Sequence, residues 1–182
     1  GVEVSWVTAN DTASFEGVFR DNTRVLYLES PTNPTVKIVD IEKAAALAKR
    51  RGILTLIDST LASPLNTRPA ALGIDGVLHS ATKYLGGHSD CLAGVVAGSR
   101  ALVERVKSHL RVLGGILDPH ASYLLIRGTK TLGLRIAQHN ANGAVVSEFL
   151  SSHPKVRDVY YPMHPSHPQH ELARRQMQGG GG

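Results

Sequence analysis

Short apolar runs recur through the first half of the chain: VEVSWV at 2–7, RVLYLES at 24–30, ILTLIDS at 53–59, GVLHSA at 76–81 and AGVVAG at 93–98. Each is too short for a helix and rich in β-branched residues. Their near-continuous apolar character, rather than strict alternation, predicts strands covered on both faces, and therefore a mostly parallel sheet. Between the second and third runs lies VDIEKAAALAKRRG, in which Ile41, Ala44, Ala45 and Leu47 form one apolar stripe. Asp40 stands where an N-cap is needed and Gly52 follows the basic last turn, so a helix is predicted between two parallel strands. A βαβ unit places helices on the faces of such a sheet.

Beyond residue 99 the period changes. SRALVERVKSHLRVLG, closed by Gly114 and Gly115, predicts one helix. The Pro-free stretch 120–151 predicts either a helix broken at Gly128 or Gly133 or one long helix spanning two domains. Leu124, Leu125, Leu132 and Leu134 read as core, and Arg127 and Arg135 as cations that meet either the sheet domain's carboxylates or an adjacent subunit. His153-Pro154 ends the stretch, and VRDVYYP at 156–162 reads as a strand opening a second domain. The expected division is 1–134 as a large domain and 135–182 as a linker helix with the beginning of a C-terminal domain. One strand and a short helix cannot bury a core, so the chain is expected to be a piece of a longer protein.

Composition narrows the function classes. A hydrophobic content of 42% with 19% charged residues is that of a globular protein. The net charge of +5 would permit nucleic-acid binding, but the basic residues are scattered and aromatics make up only 5%, so no nucleic-acid partner is expected. A single cysteine, Cys91, excludes an internal disulfide and favours a reducing compartment. No membrane span or signal segment is evident, and the expected location is cytoplasmic.

In an open parallel sheet, ligands bind where the carboxyl ends of the strands converge. Here those ends carry Asn33 in PTNP, Asp58, Ser59 and Thr60 after ILTLI, and Ser80, Thr82 and Lys83 after GVLH. A partly desolvated lysine can add to a carbonyl as a Schiff base. Ser80 and Thr82 share a face in extended chain and can donate two hydrogen bonds to one anion. A carboxylate from the adjacent strand is badly placed for a phosphate but well placed for a protonated ring nitrogen. Pyridoxal phosphate offers all three handles: an aldehyde for Lys83, a phosphate for Ser80 and Thr82, and a pyridine nitrogen for Asp58. Asn33 is then available to the ring's phenolic oxygen. A cofactor-independent aldolase would also use a lysine, but it would leave Asp58 with no ring nitrogen to pair with.

Longer segments carry a resemblance. ESPTNP, LIDSTLASPLNTRPAALGIDGVLHSATKYLGGHSD, GGILDPHASYLLIRGTKTLGLR and YYPMHPSHPQHELARRQM are similar, in unbroken order, to the Cys/Met-metabolism family of fold-type I pyridoxal-phosphate enzymes. The resemblance implies the three-layer α/β fold of that family's large domain, with a linker helix and the start of an α+β domain. It implies Lys83 as the Schiff-base lysine, Asp58 as partner of the pyridine nitrogen, Ser80 and Thr82 as phosphate ligands, Asn33 at the ring hydroxyl and Thr60 against the ring. The implied activity is γ-replacement on an O-activated homoserine by cysteine, giving cystathionine. The alternatives are a γ-lyase that cleaves a C–S bond to a 2-oxo acid and ammonia, or an inactive fragment serving only as a folded assembly piece. An amino-acid substrate and a homo-oligomer are implied as partners. The family's glycine-containing phosphate loop, the Tyr and Arg that reach a neighbouring subunit's phosphate, and its carboxylate-binding arginine have no counterpart in these residues. The expectation is therefore a central piece of such an enzyme.

Plainer readings stand beside these. Lys83 alone reads as a surface lysine, Asp58 as a helix cap, and Ser80, Thr82 and Asn33 as turn residues. Gly86-Gly87 lacks the spacing of a dinucleotide loop. The triad His164, His167 and His170 has metal-like spacing, but the prolines between them interrupt a helix and no carboxylate or cysteine partner is evident, so no metal is expected. Cys91, beside Asp90, reads as a small buried residue rather than a nucleophile.

Overall fold

The computed structural model describes residues 1–181. Four strands form one sheet in sequence order: β1 (Val25–Glu29), β2 (Leu54–Asp58), β3 (Gly76–Ser80) and β4 (Gly94–Gly98). β1 and β2 are parallel, β2 and β3 are parallel, and β4 returns antiparallel to β3. Two short helical turns precede the sheet, the 3-10 turn Thr12–Ser14 and α1 (Phe15–Val18).

α2 (Ile41–Arg50) connects β1 to β2, and its stripe of Ile41, Ala44, Ala45, Leu47 and Ala48 is buried. Asp40 caps it, its carboxylate accepting from the Lys43 amide at 3.2 Å, an interaction worth about 1 kcal/mol. The stripe packs with Leu26, Leu28, Ile53, Ile57 and Val77 into the main core, each buried side chain of that size contributing about 1.5–3 kcal/mol. Between β2 and β3 there is no full crossover helix. The chain passes through α3 (Ser63–Asn66) and a 3-10 turn, Pro69–Leu72.

α4 (Arg100–Leu113) follows β4 and covers the other face of the sheet: a Cβ added to Gly76 would meet both Leu56 and Leu102. The arrangement is thus three layers, α2, sheet and α4. The second face is nonetheless only partly covered, because Val25 and Tyr27 of β1 are exposed while Leu26 and Leu28 are buried. That alternation differs from the two-sided burial expected of the runs.

The long stretch divides into α5 (Pro119–Thr129), capped by Asp118, and α6 (Leu132–Ser151). The break falls at Lys130-Thr131, between the two glycines expected to make it. Leu132 and Ile136 are buried, whereas Leu134 is 78% exposed, because a residue two positions along a helix faces away. Two expected strands are not formed. Residues 2–7 lie beside no strand, and Trp6 is 90% exposed. Residues 156–162 are irregular, bounded by Pro154 and Pro162. β-rich composition alone does not make a strand: neither segment pairs with the open edge of β1 or of β4.

The residues that follow fold back onto the sheet unit. α7 (His170–Gln176) places Ala173 and Met177 in a second core with Ile38 and Ala62. Gln169 and Gln176, at its two ends, behave like strand backbone. The Gln169 side chain accepts from the Ile38 amide at 2.8 Å and donates to the Ile38 carbonyl. Gln176 accepts from the Ile41 amide at 3.3 Å and donates to the Val39 carbonyl at 2.8 Å. Arg175 meets Asp40 at 2.8 Å. Of the three histidines, His167 is spent on backbone, its Nε2–H donating to the Val36 carbonyl at 3.1 Å and its Nδ1 accepting from the Gln169 amide at 3.1 Å. His170 Nδ1 lies 3.1 Å from the Pro162 carbonyl. Among the described residues no group of three His, Cys, Asp or Glu could hold a metal ion, and no helix is long and apolar enough to cross a membrane.

Burial holds the His167 imidazole below its ordinary pKa; the Val36 carbonyl opposes the shift and His170 adds to it. In the unfolded chain the ring titrates near about 6.5. Its contribution to stability is therefore complete above that value and is lost as the pH falls through the lower, folded one. Melting curves between about pH 7.5 and 5 should show a loss of thermal midpoint that is smaller in His167→Gln. Some loss should remain in that variant, because burial also lowers the pKa of His79. Equal losses in the two proteins would refute the coupling.

Candidate active site at the carboxyl rim of the sheet

The ends of β1, β2 and β3 open into one cleft of about 890 Å³, and Asn33, Asp58, Thr60, Ser80, Thr82 and Lys83 all line it. The register accounts for the grouping. Glu29 pairs with Asp58 and Asp58 with Leu78, so Glu29, Asp58 and Ser80 project on one face of the sheet. The ladder continues past the strands: the Ser30 amide bonds the Asp58 carbonyl at 3.2 Å and the Ser59 amide bonds the Leu78 carbonyl at 3.0 Å.

Side chains then tie the rim together. Asp58 Oδ1 accepts from the Thr60 amide at 2.8 Å, and Thr60 Oγ1 accepts from the Ser80 amide at 2.7 Å. Oδ2 of Asp58 accepts no hydrogen bond among the described residues. Asn33 is exposed, and its amide N–H donates to Glu29 Oε1 at 3.1 Å. The Asp58 and Glu29 carboxylates also act on Tyr27, whose phenol is pushed up first by partial burial and then by these two charges.

Lys83 stands exposed at the rim, in a tight turn closed by Lys83 N to Ser80 O at 3.1 Å and by Gly87 N to Lys83 O at 2.7 Å. Thr82 is less free than its neighbours. Its hydroxyl accepts from the Ala93 amide at 3.0 Å and faces the Ala93 carbonyl at 3.3 Å, joining the turn to the entry of β4. Cys91 lines the cleft and is half-buried.

The cleft includes Glu29, Arg135 and His139, which the sequence reading did not select. Glu29 had a legible signal, an acid at the end of a strand as Asp58 is. Arg135 was expected to meet the sheet's carboxylates or an adjacent subunit and instead donates to the Tyr84 and Gly128 carbonyls; His139 had no signal, since it comes from α6, far along the chain. His79 is buried behind the rim, and burial lowers its pKa against the opposing influence of Asp58 and the Ser59 backbone.

The residues are chemically matched to a flat heterocycle bearing an aldehyde and a phosphate. An amine, a carboxylate with one oxygen uncommitted, and hydroxyl and amide donors converge on a space able to hold one. The match is incomplete at Thr82, whose single hydroxyl proton cannot serve Ala93 and an anion together.

Comparison with known proteins gives the same class. A family model described as Cys/Met metabolism PLP-dependent enzyme matches residues 1–182. The chain is 49% identical over its whole length to cystathionine gamma-synthase 1, chloroplastic, of Arabidopsis thaliana, covering 32% of that protein. It is 45% identical to a cystathionine gamma-lyase of Bacillus subtilis and 43% identical to a cystathionine beta-lyase of Coxiella burnetii, covering 48% of each. A crystal structure of cystathionine gamma-lyase from Lactobacillus plantarum, complexed with L-serine, superposes on 97% of this chain and 47% of that one, with a TM-score of 0.94 and 44% identity. The chain thus spans 32–48% of the length of these relatives. By the match along its full length, the chain belongs to the Cys/Met metabolism family of PLP-dependent enzymes.

Proposed function

We propose that this chain forms the cofactor-holding part of an enzyme that replaces the γ-substituent of an O-activated homoserine with cysteine, giving cystathionine. The observation that carries the reading is the convergence of Lys83, Asp58 and Ser80 on one cleft from two paired strands. Pyridoxal phosphate, when bound, supplies an aldehyde for an amine and a ring that accepts electrons from the carbon beside the substrate nitrogen.

The chain's own groups divide the remaining work. Lys83 would hold the cofactor through its aldehyde and, as a free amine, would take and return protons at the substrate's Cα and Cβ. Asp58 keeps a proton on the ring nitrogen through its uncommitted Oδ2. Ser80 donates to the phosphate; Thr82 does so after its hydroxyl turns from Ala93. Asn33 donates to the ring's phenolic oxygen from a loop fixed by Glu29. Thr60 would line the ring's side of the cleft, and its hydroxyl holds the Ser80 amide.

A γ-lyase reading has its own support in the relatives named for that activity and in the close superposition on one of them. A homo-oligomer belongs to the same proposal, supported by apolar side chains left bare at the end of α4, Val112 and Leu113 being 83% and 81% exposed.

The full-length protein, assayed with an O-acylated or O-phosphorylated homoserine, decides the outcome. Cystathionine formed only when cysteine is present supports the synthase, whereas 2-oxo acid and ammonia released from cystathionine alone support the lyase. Turnover by the 182-residue chain itself would exclude the inactive-fragment reading. Lys83→Ala should abolish covalent capture of pyridoxal phosphate, read as loss of its visible absorption band.

Asp58→Asn should still capture the cofactor but exchange the substrate Cα proton slower by orders of magnitude; a near-parental exchange rate would remove Asp58 from that role. Thr60→Val strands the Ser80 amide, so urea unfolding should show a loss of about 1–2 kcal/mol together with weaker cofactor retention. Thr60→Ser should recover most of both, and an unaltered Thr60→Val would contradict the relay.

A further inference from the structure

Arg135 occupies a position its own helix does not favour. It lies in the first turn of α6, where the helix dipole repels a cation, and no acid is present there to compensate. Its guanidinium is instead committed elsewhere. Nη1 donates to the Tyr84 carbonyl at 2.8 Å, Nη2 to the Gly128 carbonyl at 2.9 Å and Nε to Thr131 Oγ1 at 3.0 Å. The first of these is the carbonyl immediately after Lys83. One turn further along α6, the His139 ring meets the Tyr84 ring edge-on, with centroids 5.4 Å apart. Two side chains of one helix thus hold the residue next to the reactive lysine, one by its backbone and one by its ring.

The turn is shaped to receive this group. A Cβ at Gly87, whose φ is +73°, would lie 2.2 Å from Arg135 Nη1. On the opposite side, a Cβ at Gly128 would lie 2.1 Å from the Gly86 carbonyl oxygen. The α5–α6 elbow and the Lys83 turn therefore touch backbone to backbone, with the guanidinium bridging them. A lysine in place of Arg135 would keep the charge but could not span both carbonyls with one planar fork.

We propose that Arg135 is a positioning residue for Lys83: by forking across the Tyr84 and Gly128 carbonyls it fixes the turn that presents the Lys83 amine to the cleft. It acts through that turn and not by contact with substrate, and the proposal rests on the reading of Lys83 as the cofactor-binding amine.

The test compares the full-length protein with its Arg135→Lys and Gly87→Ala variants, the second displacing the guanidinium from the other side. In the cofactor-free proteins, hydrogen exchange at the Gly86 and Gly87 amides should accelerate about tenfold, the effect of losing one charge-assisted hydrogen bond. On mixing with pyridoxal phosphate, covalent capture, trapped by borohydride and read by mass on the Lys83 peptide, should slow by a similar factor. Affinity for pyridoxine phosphate, which lacks the aldehyde, should stay within about twofold, because Ser80 and Thr82, at the start of the turn, are anchored by Thr60 and Ala93 and not by Arg135. A general loss of structure would instead weaken both ligands.

Parental exchange at Gly86 and Gly87 in Arg135→Lys would overturn the proposal, as would parental capture by a loosened turn. If either variant fails to fold, the other carries the same comparison. Capture by a lysine other than Lys83 in the unsubstituted protein would show that the reading of Lys83, and the proposal built on it, is wrong.

Discussion

The registration of β2 against β3 is the constraint from which the rest of the site follows. Asp58 stands opposite Leu78, so Ser80 lies two residues further along on the same face, and the rim carries an acid and a hydroxyl side by side. Side chains alternate with a period of two, so a slip of one residue would turn Ser80 away from Asp58 and bury a carboxylate among the core residues that Ile57 and Val77 now fill. The burial of that core therefore selects the register, and the register selects the chemistry. Hydrogen bonding from Asp58 through Thr60 to the Ser80 amide then carries the alignment beyond the last ladder pair, where twist and loop freedom would otherwise blur it.

The Lys83 turn obeys a different economy. It lies outside the sheet, so its order comes from close backbone approach and a few strong donors. Thr82 is bonded to Ala93 on one side, and Arg135 reaches Tyr84 on the other. Gly128 allows the approach, since a side chain there would run into the Gly86 backbone, and Gly86 leaves room within its own turn for the Ala81 carbonyl and Cys91. The covalent role proposed for Lys83 calls for a fixed base and a free end. Lys83 has both, a hydrogen-bonded backbone and an exposed amine.

The sequence was most legible where local signals and tertiary demands coincide. α2 could be read from its stripe, its Asp40 cap and Gly52, all of which the structure uses. The three parallel strand ends could be read because apolar runs stop abruptly in polar residues. Residues 2–7 and 156–162 carry the same β-rich composition but find no partner edge, and composition holds no information about one. Leu134 failed for a geometric reason: grouping it with Leu132 ignored the half-turn between them. Arg135 was legible only as a cation free to meet carboxylates or another subunit, and His139 not at all, because their relation to Tyr84 depends on how α6 packs, with more than 50 residues between donor and acceptor.

The loop bearing Asn33 shows how far that dependence extends. Its two stems are joined by the Val39 amide, which donates to Ser30 Oγ at 3.2 Å, and by the Thr32 amide, which donates to the Lys37 carbonyl at 3.0 Å. The outer strand of the loop is in turn held by His167, Gln169 and Gln176, which satisfy Val36, Ile38, Val39 and Ile41. These backbone groups would otherwise form an exposed edge, and a helix supplies side-chain amides where a fifth strand could have supplied peptide groups. A neighbouring strand would have brought its own carboxyl end to the rim and crowded the cleft beside Asn33. Side chains reaching from α7 close the edge and leave the rim open, so the C-terminal residues, distant from the cleft in sequence, help to determine its shape.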